Sequence, residues 1–90
     1  MNDKVLVRLY TYDESNSFPY MIKAFYSNNA SDLLKIYLIA KESELRIQIP
    51  EEIDGRSKYD GCEGYIDDIK IRFGGAESIP TLDLYITGII

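Results

Sequence analysis

Apolar and polar residues alternate with a period of two along most of this chain, the pattern of strands with one buried face. Val5, Val7 and Leu9 share one face near residues 4 to 12, while Leu6, Arg8, Tyr10 and Tyr12 share the other. A turn-rich stretch from Asp13 to Ser17 ends this first strand. A second apolar run, Tyr20 to Tyr26, follows Pro19 and closes in Ser27-Asn28-Asn29-Ala30-Ser31.

Two periodicities compete over Leu33 to Lys41. As a strand it places Leu34, Ile36, Leu38 and Ala40 on one face, and a hairpin through Lys41 to Glu44 then sets Ala40 against Leu45, Leu38 against Ile47 and Ile36 against Ile49. The same hairpin sets Lys41 beside Glu44, an opposite-charge pair of the kind that stabilises a sheet. As a helix, the segment near 31–42 would be capped by Ser31 or Asp32. The register favours the hairpin.

Ile69, Ile71 and Phe73 alternate with Asp68, Lys70 and Arg72 near 68 to 73, up to Gly74-Gly75. Ile66 has the wrong parity for that face, so the ladder starts or bulges at Asp67-Asp68. Ala76 to Pro80 then leads into a last strand, 81 to 87, with Leu82, Leu84 and Ile86 inward and Asp83, Tyr85 and Thr87 outward. The apolar end Gly88-Ile89-Ile90 is expected to pack in the sheet or against another subunit.

These elements predict one domain, residues 1–90, with an all-β fold: a small antiparallel sandwich or partly open barrel of five to six strands near 4–12, 20–26, 33–41, 44–49, 68–73 and 81–87. The alternative is α+β with one helix near 31–42. Thirteen isoleucines and eight tyrosines agree with β structure. So small an open sheet has edges, and a homodimer by strand pairing or face packing is expected of them.

Charge adds a location. The segment from Pro50 to Asp68 holds Glu51, Glu52, Asp54, Asp60, Glu63, Asp67 and Asp68 against Arg56 and Lys58, and all of the chain's net charge of −5 resides there. An acidic chain is poorly suited to direct nucleic-acid binding, whose affinity comes largely from Lys and Arg on phosphates. Tyr59 and Tyr65 bracket the carboxylates, combining aromatic area with charge for steering. Tyr59, Asp60, Glu63, Tyr65, Asp67 and Asp68 are therefore the candidate partner-binding residues, and a basic protein surface is the expected partner.

Catalysis finds little support. With no histidine, the chain lacks the commonest general base and the usual partner of a catalytic Ser or Cys. Cys62 lies among carboxylates that would hold it as an unreactive thiol, and a lone cysteine cannot form an intrachain disulfide or a thiolate metal site. Asp60, Glu63, Asp67 and Asp68 have the oxygen chemistry of a calcium site, but the EF-hand spacing is not met. No catalytic residue, metal or cofactor is assigned. Gly64-Tyr65-Ile66-Asp67-Asp68-Ile69-Lys70-Ile71 resembles the near-terminal strand of laminin-G-type and lectin jelly rolls, over those eight residues.

The expectation is a non-enzymatic protein-binding protein, an inhibitor whose acidic loop docks on a basic, nucleic-acid-binding type of surface. Its size and Ile, Tyr, Lys and Asn-rich composition suit a phage or mobile-element protein acting against host defence, of the anti-CRISPR kind. The alternatives are a structural or assembly subunit that self-associates through sheet edges, and a calcium-dependent binding module. No run of about 20 apolar residues suggests a membrane span, and no leader pattern is seen, so a soluble, cytoplasmic protein is expected.

Overall fold

Among the described residues, five strands and one helix account for the regular structure. The computed structural model describes residues 4–13, 16–51, 58–72 and 79–90; Glu52, Asp54 and Arg56 of the acidic segment, and Phe73 with the Gly74-Gly75 stop, lie outside them. In chain order the elements are β1 (Val5–Asp13), β2 (Asn16–Ser27), α1 (Ala30–Glu42), β3 (Arg46–Gln48), β4 (Glu63–Arg72) and β5 (Thr81–Thr87). The strands form one sheet in the order β2-β1-β5-β4-β3, curved into a half-barrel.

Pairing is antiparallel except between β1 and β5, which run parallel at the centre of the sheet. The chain makes the β1–β2 hairpin at one edge and crosses as α1 to the other edge, where β3 and β4 pair. It then returns through β5 between β4 and β1.

The strand expected at 33–41 is instead part of α1, and the hairpin with 44–49 does not form. The reason lies in the composition of the segment: Leu33, Leu34, Ile36, Tyr37, Leu38, Ile39 and Ala40 are apolar on every side, so both periods find matches. Burial decides between them. As a helix the segment covers the sheet with Tyr37 and Ala40, both buried, and packs Leu33 and Leu34 against the same core. The N-cap is Asn29, not Ser31 or Asp32, and its side chain makes no capping bond.

The C-terminus of α1 is closed by a Schellman turn, in which the Leu45 amide donates to the carbonyl of Ala40 and the Glu44 amide to that of Lys41. Glu44 occupies the left-handed position, φ 53°, where glycine is favoured. The chain thus leaves the helix at the residues expected to form a hairpin loop.

The inward residues of β1 and β5 are buried as alternation predicts, but β5 is buried on both faces, Asp83 and Tyr85 included. Val5, Val7 and Leu9 of β1 and Leu82, Leu84 and Ile86 of β5 are buried on the helix-covered face, joined by Ile66 and Ile49. Full burial of such a side chain stabilises by roughly 1.5–3 kcal/mol. Thr11 continues the inward face of β1, and its hydroxyl donates to the carbonyl of Ile86 at 2.7 Å.

The parity break at Ile66 is a bulge between Ile66 and Asp68, after which Ile69 and Ile71 return to the inner face. The carboxy-terminus is tied to the sheet: Glu63 and Ile90 exchange both backbone hydrogen bonds, and Ile89 packs against the core.

Candidate interaction surfaces

The six candidate residues separate into two structural settings. Tyr59 and Asp60 lie in the turn before β4, against the helix side of the sheet. The Asp60 carboxylate accepts a hydrogen bond from the Lys23 ammonium at 2.6 Å, with side chains 12% and 3% exposed. Lys23 sits opposite Leu9, so its strand parity sends a cation into the apolar face, and Asp60 neutralises it. The hydroxyls of Tyr59 and Tyr20 share a hydrogen bond at 2.6 Å. Both contacts clamp the turn to β2.

The other four are on β4. Glu63 pairs with Gln48 of β3, and Tyr65 pairs with Arg46, whose guanidinium lies 5.0 Å from the centre of the tyrosine ring. Asp67 is the extra residue of the bulge. Asp68 faces Tyr85 in the ladder and accepts the amide of Ile69 on its own carboxylate at 2.9 Å. All four are exposed, but they do not converge with Asp60. Among the described residues no three Asp, Glu, Cys or His side chains are grouped to hold a cation. Cys62 is partly buried against the core.

The sheet face away from α1 carries a different constellation, which the sequence reading did not single out. The parallel pairing of β1 with β5 sets Arg8 beside Asp83 and Tyr10 beside Tyr85. Arg8 Nε and Nη2 donate to the two carboxylate oxygens of Asp83 at 2.7 and 2.9 Å, the two-point geometry that favours arginine over lysine. Arg72 Nε approaches the same carboxylate at 3.4 Å. Asp83, expected to face water, is only 1% exposed. The hydrogen bond from Arg8 to Asp83 raises the arginine's pKa above its ordinary value.

Beside this ion cluster the Tyr10 and Tyr85 rings stack at 5.3 Å with an 18° interplanar angle, Tyr12 leans on Tyr85 at 6.4 Å, and the Lys70 ammonium lies 5.1 Å from the Tyr85 ring centre. Towards β2 the face continues through Met21, paired with Tyr10, and Tyr26, under the Lys4 ammonium. Tyr12, Met21 and Tyr26 are exposed. Helix α1, Ile49 and the Tyr59–Cys62 turn pack on the opposite face. Lys4, Arg8, Lys70 and Arg72 lie on this face with Asp68 and Asp83.

The chain matches no known protein family, curated protein or solved structure.

The signal for the tyrosine face was present in part. Arg8, Tyr10 and Tyr12 alternate on one side of β1, as Asp83 and Tyr85 do on β5. Their adjacency required the parallel pairing of strands more than 70 residues apart in sequence, which local periodicity does not contain. No helix among the described residues is long and apolar enough to cross a membrane.

Proposed function

We propose that this is a non-enzymatic protein-binding protein that docks its partner on the open sheet face presented by Tyr10, Tyr12, Met21, Arg8 and Arg72, whose tyrosines pack on the buried ring of Tyr85. The observation that carries the reading is the contiguous stack of Tyr12, Tyr85 and Tyr10 beside the Arg8–Asp83–Arg72 cluster, on the face that α1 leaves open. Tyrosine, arginine and methionine are the residues enriched in protein interfaces, where rigid rings supply area at low entropic cost. The stacking and the two-point ion pair hold these side chains in place before a partner arrives, which reduces the ordering cost of association. Binding of this kind is sufficient for an inhibitor, and no catalytic group is required.

The second reading is the acidic one, in which Glu63, Asp67 and Asp68 engage a basic surface; their exposure favours it. Asp60 is excluded from it, because its carboxylate is committed to Lys23. Two variants distinguish the readings: Tyr12→Ala with Met21→Ala on the sheet face, and Glu63→Gln with Asp67→Asn on β4. A partner captured from source cells by the wild-type protein is expected to be lost with the first variant and kept with the second. A loss confined to the second supports the acidic reading, and retention by both refutes both.

A further inference from the structure

The two edges of the sheet are treated differently. Edge strand β2 carries Pro19, a register shift opposite Leu9/Tyr10, and the inward-pointing Lys23, all of which hinder pairing with another strand. Edge strand β3 has none of these: it reads Arg46-Ile47-Gln48, with neither proline nor lysine. Its backbone is also oriented outward. The Ile49 amide bonds inward to Cys62, and Glu63 turns its own amide and carbonyl to Ile90, away from Gln48. In an antiparallel ladder this alternation leaves the peptide groups of Arg46 and Gln48 facing the open edge.

Beside that edge runs an apolar groove between α1 and β3, lined by Leu33, Ile36, Tyr37, Ala40, Leu45 and Ile47. Its rim is unusually wet for such residues: Ile36 is 56% exposed, Ile39 59% and Leu45 53%. A contiguous apolar rim of this kind marks an association surface.

We infer that the occupant of this edge is a second copy of the same chain, joined antiparallel through β3 about a two-fold axis at Ile47. The register is self-complementary. Arg46 of one copy lies opposite Gln48 of the other, so each Arg46–Gln48 pair exchanges two backbone hydrogen bonds and the axis generates the same pair twice. Leu45 lies opposite Ile49, and no like charges oppose one another across the ladder, a condition that isologous pairing often fails. The two-fold keeps both helices on one face of a continuous ten-stranded sheet. Their grooves then adjoin across the axis, and Ile36, Ile39 and Leu45 of each copy are shielded from water. The tyrosine face stays open on the other side, so the dimer presents it twice.

Each copy carries −5, so the copies repel at long range. Salt screens that repulsion and strengthens the dimer, whereas it weakens a complex held by opposite charges.

Sedimentation equilibrium from micromolar to millimolar protein, at low and high salt, tests the proposal together with amide hydrogen exchange at both ends of the concentration range. The wild-type protein is expected to show a monomer–dimer equilibrium that tightens with salt, and slowing of exchange with concentration at Arg46 and Gln48 but not along the β2 edge. Ile39→Glu, and Gln48→Pro, which removes only an outward amide, should each weaken the dimer at least tenfold, about 1.4 kcal/mol. Tyr12→Ala should leave it unchanged. A wild-type protein that stays monomeric at millimolar concentration overturns the proposal, as does a dimer without protection at Arg46 and Gln48. If a variant fails to fold, the wild-type exchange pattern decides alone.

Discussion

Replacing Asp60 by Asn tests whether this carboxylate is an interface charge or a structural one. In the folded protein it neutralises Lys23, whose side chain is 3% exposed and lies on the apolar face opposite Leu9. Asp60→Asn keeps the size of the side chain and leaves the ammonium buried without its counter-charge. Removing one partner of a buried pair costs about 3–5 kcal/mol. A chain of 90 residues has a total stability of roughly 5–13 kcal/mol, so this substitution consumes a large part of it. The complementary change, Lys23→Met, removes the cation and leaves Asp60 at 12% exposure, where water reaches it more easily, so its cost is smaller.

The double variant Lys23→Met/Asp60→Asn has no buried charge at the site. It should be more stable than Asp60→Asn alone, with a coupling energy of at least about 1 kcal/mol. Urea unfolding followed by circular dichroism measures all four proteins, and equal slopes with denaturant show that the same surface is exposed each time. A loss below about 1 kcal/mol for Asp60→Asn, with strictly additive effects in the double variant, refutes the structural role. Asp60 would then return to the partner-binding set.

Two further expectations follow from packing and burial. Alanine at Gly64 would place its methyl 2.5 Å from Ile86 Cγ2 and 3.2 Å from both Ile89 Cγ1 and the Thr87 carbonyl oxygen. Since Ile86 is fully buried, Gly64→Ala should cost about 1–3 kcal/mol in chemical denaturation, and an unchanged midpoint would show that the strands separate freely there. Burial raises the pKa of the Tyr37 phenol above its ordinary value. The folded state therefore prefers the neutral phenol. The corresponding stability is fully present below about pH 10, where the unfolded tyrosine is still protonated, and is lost as pH rises through the folded value. Tyr37→Phe should flatten the decline in stability above pH 10 relative to wild type, and parallel curves would refute the assignment.

Local sequence determined those parts of the protein whose burial has a simple period. In β1 and β5 every second residue is apolar, and each strand delivers those residues to the core because alternation follows from backbone geometry alone. The parity break at Ile66 was legible for the same reason, since Ile66 and Ile69 cannot share a face without an extra residue between them, and pairing with β5 on both sides of it made it a bulge and not the start of the strand. The exposure of Glu63, Asp67 and Asp68 follows from local charge.

Tertiary structure decided the rest. From Leu33 to Ala40 the chain is apolar on nearly all sides, so no period distinguishes helix from strand, and the need to cover one face of the sheet selected α1. Lys23 within an apolar run, and Asp60 in an acidic one, showed nothing locally of their pairing across 37 residues. Arg8 and Asp83, 75 residues apart, meet only because β5 inserts parallel to β1. That insertion buries an aspartate that alternation places in water and builds the tyrosine face around it. Strand pairing is non-local, and its partners are fixed by the topology that best shares out the buried faces of all five strands and the helix.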